Sequence, residues 1–192
     1  NGAASALNAT WQAMQANVLI ALGVIFLLMV VLLRNFVLPL IILLAVPVAA
    51  AGGIGGLAFL NVFIQQPLDM LTMLGFVILT GVVVNNAILM IEQAMLHIRE
   101  ENMDISGAVI EATRNRVRPI FMSTLTSLFG LVPLVIFPGA GAELYRGLGV
   151  VVFGGLGLST LATLIIVPPL LAMALRSPFA GRVTQRSSLD AL

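Results

Sequence analysis

The chain has no cysteine and no lysine, one histidine (His97), one tryptophan (Trp11) and one tyrosine (Tyr145). Without cysteine there is no disulfide framework and no thiolate-ligated metal or iron–sulfur site. A single histidine argues against a histidine-rich metal site and against a Ser-His-Asp triad within this chain. Charge is scarcest of all. Only 9% of the 192 residues are charged, where a soluble domain carries about 25%. The net charge of +1 offers no electrostatic footprint for DNA or RNA. What abounds is apolar: 60% of the residues are hydrophobic, and the mean hydropathy is +1.12. A soluble domain, a disordered chain and a nucleic-acid binder are set aside, and an integral membrane protein remains.

The few charges are also spaced. No charged side chain occurs in 1–33, 35–68, 70–91, 119–142 or 147–175. A spanning helix needs about 20 mostly apolar residues, so each stretch accommodates one. The expected fold is an all-α, polytopic transmembrane bundle of five spanning helices, at about 16–33, 36–60, 71–91, 119–137 and 148–175. Residues 1–15 read as the end of an outer segment, with Trp11 as an interfacial anchor, and 177–192 as a polar inner tail. Pro47 is expected to kink the second span. Pro119 is expected in the first turn of the fourth, and Pro168-Pro169 should break or bend the fifth near its end. Between the third and fourth spans, Ile105, Ala108, Val109 and Ala112 recur at helical spacing, with Asp104 or Ser106 available as a cap. This predicts one short amphipathic helix on the membrane face.

All nine basic residues are arginine. With the N-terminus outside, eight of them fall on the inner side and only Arg146 on the outer, the asymmetry of the positive-inside rule. The expected topology is N-out, C-in. The chain begins at Asn1 and lacks the pattern of a signal peptide, so it is expected to be a piece of a longer protein.

Polar side chains within spans mark helix contacts or water-filled paths. Asn85 and Asn86 lie past the middle of the third span, and Gly81, Asn85, Ile88 and Glu92 share a face. Ser123, Thr126, Ser127 and Gly130 form a stripe on the fourth. The two patches are expected to meet and hydrogen-bond. Gly52, Gly56, Gly81 and Gly130 are small enough to admit neighbouring helices, the first two as a GxxxG pair. Both a packing role and a proton-path role fit these stripes. No Asp or Glu lies mid-span, so any titrating carboxylate must come from elsewhere. His97 reads as a solvated interfacial residue, Arg114, Arg116 and Arg118 as a headgroup anchor, and the methionines as gap fillers. No metal site is expected.

Two runs carry a resemblance. They are Gly81-Val82-Val83-Val84-Asn85-Asn86-Ala87-Ile88-Leu89-Met90-Ile91-Glu92 and Arg116-Val117-Arg118-Pro119-Ile120-Phe121-Met122-Ser123-Thr124. With Gly130-Leu131-Val132-Pro133-Leu134, Gly139-Ala140-Gly141-Ala142-Glu143 and Val167-Pro168-Pro169 following in order, the chain resembles the resistance–nodulation–division (RND) efflux transporters from about Ala16 to Arg176. The resemblance implies the last five helices of a twelve-helix membrane domain. It further implies a secondary transporter of the bacterial inner membrane rather than an enzyme, exporting drugs or other amphiphiles against inward proton flow. The partners implied are the rest of the transporter chain, two further copies in a trimer, the lipid bilayer, and a periplasmic adaptor with an outer-membrane channel. No cofactor is implied.

The family's relay carries over onto Asn85, Ser123 and Arg116, with Asn86 beside them; the acidic pair they serve lies in a helix outside this chain. Many drug pumps of the family have lysine at the place of Asn85. An asparagine there can hydrogen-bond to a carboxylate but cannot carry charge. Two other readings are a structural membrane fragment that transports nothing and a superfamily member that assists lipid or protein export.

Overall fold

A computed structural model, describing residues 2–137 and 139–177, contains five helices: α1 Gly2–Leu33, α2 Val37–Phe63, α3 Met70–Glu100, α4 Ile105–Ile136 and α5 Ala142–Arg176. All five are long and apolar enough to cross a membrane, and no strand occurs among the described residues. At 1.5 Å per residue, helices of this length reach about 40–50 Å, past a hydrocarbon core of about 30 Å. The rods therefore overrun the spans that hydropathy marks, because an apolar run records only the part that must sit in lipid.

The largest difference from the sequence reading is at the α3–α4 corner. α3 continues to Glu100, and α4 begins at Ile105. The amphipathic segment expected as a separate helix is therefore the first part of α4. Pro119 lies inside that helix, as does Pro133. Proline removes one backbone bond, yet burial continues across it: Ala108, Val109 and Ala112 are buried before Pro119, Ile120 and Thr124 after it. Packing on both sides holds the helix through the missing bond. In the same way α5 runs unbroken to Arg176 through Pro168-Pro169, with Val167 and Leu171 buried around them, and Pro47 sits within a continuous α2. The expected polar tail falls outside the described residues after Ser177.

Caps and turns fix the helix ends. Asp69 caps α3, its Oδ1 accepting from the Thr72 backbone N–H at 2.8 Å and from the Thr72 hydroxyl at 2.7 Å. Asp104 caps α4 by accepting from Gly107 N–H at 3.3 Å. The α1–α2 and α3–α4 turns each place one residue at positive φ, Arg34 at 49° and Asn102 at 50°. Asparagine tolerates this backbone; for arginine it costs about 1–2 kcal/mol.

α5 is the central helix, packed against α2, α3 and α4, while α1 lies at the edge against α2 and α3. The α2–α5 contact is built on glycine. A Cβ on Gly52 would stand 2.8 Å from the Gly154 carbonyl oxygen, and one on Gly56 would stand 3.2 Å from Gly154 Cα. A Cβ on Gly154 would stand 2.7 Å from the Gly52 carbonyl oxygen. The two backbones touch directly, as small residues allow in membrane bundles. Two apolar cores result. One, near the arginine-rich end, holds Leu38, Ile42, Ala87, Ile91 and Leu171; the other holds Ala49, Leu79, Val83, Val151 and Leu156. α1 contributes a single buried residue, Leu33. A cleft of about 390 Å³ separates its first half from α3, lined by Trp11, Val18 and Leu19 on one side and Phe76 and Val77 on the other.

Candidate functional site

Asn85 and Ser123 are exposed and Asn86 is half-buried. No hydrogen bond joins either asparagine to Ser123, so the expected direct pairing of the two stripes is not formed. Gly81 and Gly130 have no atom within 4 Å of the position a Cβ would take, whereas Gly52 and Gly56 are in contact with α5. The polar residues thus lie on a bare face.

The two faces of α4 above Arg118 differ in chemistry. Phe121, Met122, Leu125 and Phe129 are exposed on one side. Ser123, Thr126, Ser127 and Gly130 are exposed on the other. At about 100° per residue, Arg116 and Ser123, seven apart, fall on the same line of the helix. The buried side of α4 carries a different hydroxyl, Thr124, which is 2.9 Å from Thr160 Oγ1 of α5. The hydroxyls of α4 therefore divide: Thr124, outside the stripe, belongs to the internal packing, and Ser123 with the rest of the stripe faces outward.

Arg116 is engaged. Its Nη2 donates to Gln93 Oε1 of α3 at 3.2 Å. Gln93 in turn places its amide nitrogen 3.4 Å from His97 Nε2, and Asn115 of α4 places its own amide nitrogen 3.4 Å from the same atom. His97 Nδ1 stands 2.9 Å from a carboxylate oxygen of Glu101. That contact lies off the N–H direction and is not a directed hydrogen bond, and it is an ion pair only when the ring is protonated. At the same end, Arg176 of α5 donates to the Ser106 hydroxyl.

His97 is only 5% exposed, which corrects the solvated reading. Its chain neighbours Arg99, Glu100 and Glu101 suggest a water-facing segment. The helical period says otherwise, since Val83, Ala87, Met90, Ala94 and His97 follow one buried face. Extending the period of α3 five residues past Glu92 is the signal that finds His97, with Gln93 one turn before it. At the opposite end of the bundle, Arg146 is 8% exposed, and its Nε has no hydrogen-bond partner among the described residues. No grouping of three His, Asp or Glu side chains that could hold a metal occurs among the described residues.

The profile of the AcrB/AcrD/AcrF family matches residues 1–174. The chain belongs to the AcrB/AcrD/AcrF family. The family is one of multidrug efflux transporters, not of classical enzymes. Within it, the chain is 36% identical over 167 residues to the multidrug resistance protein MdtC of Enterobacter sp. (strain 638), covering 87% of this chain and 16% of that protein. It is 38% identical over 151 residues to MdtC of Yersinia enterocolitica, covering 79% and 14% respectively. A crystal structure of a heavy metal efflux pump superposes with a TM-score of 0.71 at 33% identity, over 84% of this chain and 15% of that one. This member of the AcrB/AcrD/AcrF family thus spans about a sixth of the length of the curated relatives it matches. Its five helices have the RND membrane architecture that the ordered motifs implied.

Proposed function

We propose that these helices are the C-terminal membrane portion of a proton-coupled RND exporter of drugs or other amphiphiles, and that Asn85, Ser123 and Arg116 line the proton-coupling path. The observation that carries this reading is the bare polar face. Ser123, Thr126, Ser127 and Gly130 are uncovered beside an apolar face that suits lipid, and Asn85 and Gly81 are uncovered on α3. Hydroxyl and amide groups facing hydrocarbon gain nothing there, whereas against a carboxylate from another helix they gain hydrogen bonds. Relatives about five times as long supply ample chain for such a helix. Protonation of that carboxylate would remove its charge and turn one oxygen into a donor, weakening the bonds it accepts from Asn85 and Ser123. The helices would then settle into a second arrangement, and the motion would reach the substrate-handling part.

In this reading the transporter lies in the bacterial inner membrane with N-terminus outside and C-terminus in the cytoplasm. It works as a trimer with a periplasmic adaptor and an outer-membrane channel. Asn86 sits beside the path without a hydrogen bond to Ser123. Leucine at Asn85 or at Ser123 in the full-length transporter tests the assignment. Both substitutions fill an open face, so the protein is expected to fold and reach the membrane while export and proton uptake fall together, by tenfold or more if the path is single-file. Export and proton uptake both unchanged at normal expression would end the assignment.

A further inference from the structure

We infer that His97 and Gln93 are positioning residues for Arg116, and that a proton taken up by His97 releases Arg116 from α3. The inference rests on the exporter reading, because it gives a regulatory partner to a residue that reading places in the path. The argument begins with what each group can do. A guanidinium only donates, so the 3.2 Å contact from Arg116 Nη2 fixes Gln93 Oε1 as acceptor. The remaining end of the Gln93 amide, its NH2, then faces His97 Nε2 at 3.4 Å. An NH2 group also only donates, so Nε2 must offer its lone pair. The imidazole is therefore neutral, with its proton on Nδ1, beside Glu101 at 2.9 Å.

Protonation sets these bonds against one another. The imidazolium has N–H on both nitrogens, and Nε2–H would meet the NH2 of Gln93. Asn115, exposed and bonded to nothing else, can turn its amide and present oxygen. Gln93 cannot do so without turning its NH2 toward Arg116, where two donors would face each other. A charged His97 thus sets two donors against each other at Gln93 and weakens the placement that holds the Gln93–Arg116 bond. The surroundings supply the proton and stabilise the charge. Glu101 has 55% of its side chain exposed, giving the buried ring a water-side carboxylate. The charged groups in contact with this network are Glu101 on α3 and, through Gln93, Arg116 on α4, and the half-buried Glu111 lies one turn before Asn115 on α4. Arg176 of α5 is held at Ser106 instead, and Arg34, Arg99, Glu100 and Arg114 are exposed. No covalent bond changes: the proton arrives at Nε2, and either ring nitrogen can later give it up.

The full-length transporter, reconstituted in lipid vesicles, provides the test. With ring-15N-labelled histidine, the spectrum of wild type minus that of His97→Gln isolates His97. The neutral ring is expected to carry its proton on Nδ1; a proton on Nε2 overturns the inference. The second readout is export with the transmembrane pH difference held constant while both sides are stepped through about pH 5 to 8, where imidazoles change charge. Wild-type export is expected to fall on the acid side by up to about tenfold per pH unit, the limit for one proton, and His97→Gln by less than about twofold. Gln93→Met, which cuts the link and leaves the imidazole, should flatten the profile equally and replaces His97→Gln if that variant does not fold. A wild-type slope in either folded variant overturns the inference alone, leaving the exporter reading intact. Export and proton uptake that both survive the Asn85 and Ser123 substitutions remove the proton-path assignment, and the 15N spectrum still decides the state of His97.

Discussion

Replacing Gly52 with alanine isolates the close contact between α2 and α5. A methyl group there would stand 2.7 Å from Leu158 Cβ and 2.8 Å from the Gly154 carbonyl oxygen. Carbon atoms rest at about 3.5–4.0 Å, so the helices would have to part by about 1 Å. The obstacle is backbone, which cannot rotate away. Overpacking of this kind costs about 1–3 kcal/mol. Against it stands the helix preference for alanine over glycine, about 0.8–1.0 kcal/mol. Gly55, three residues along the same helix, has nothing within 4 Å, so Gly55→Ala receives the helix gain without the clash. Because the propensity gain is common to both, the difference between the two variants is the steric penalty itself, about 1–3 kcal/mol, or roughly 5- to 150-fold in the folded-to-unfolded ratio. Resistance of the purified full-length transporter to unfolding in SDS gives the ranking, with Gly55→Ala expected at or above wild type and Gly52→Ala below it. Equal resistance of the two variants would refute the direct backbone contact.

Two further outcomes follow from the internal polar groups. Thr124→Val or Thr160→Val alone leaves a buried hydroxyl without its 2.9 Å partner and should destabilise by about 1–3 kcal/mol, while the double variant should recover part of that loss. A double-mutant cycle in the same SDS assay is expected to give a coupling of about 0.6–1.7 kcal/mol, and strict additivity would deny the bond. Asp69→Ala removes both bonds to Thr72 and should cost about 1 kcal/mol, with Asp69→Asn retaining most of it. Faster hydrogen exchange confined to the first turn of α3 would register the loss, and unchanged exchange there would refute the cap.

The architecture was largely legible from where charge is missing, since five charge-free stretches correspond to five rods. The ends were less so, because hydropathy stops where lipid stops while hydrogen bonding and packing carry the helix on. Pro119 shows the limit most clearly. Proline reads locally as a start signal, yet buried neighbours on both sides keep α4 whole. The polar site was legible as residue types and not as partners. Asn85 and Ser123 stood out because amides and hydroxyls are scarce in apolar runs, but a single sequence gives no direction to the face they occupy relative to chain that is elsewhere. His97 was misplaced because the charged residues after it outweighed the helical phase that continues through it.

The thin attachment of α1 has a mechanical side. This rod is gripped at its foot by Leu33 and the tight turn at Arg34, with little holding its upper half to the other four. Leaning it outward about that foot disturbs almost no interior packing, whereas shifting α5 by the same amount would tear contacts with three neighbours at once. A pull applied near the start of the chain is therefore taken up as a tilt of one mast, while the glycine-locked pair behind it stands still.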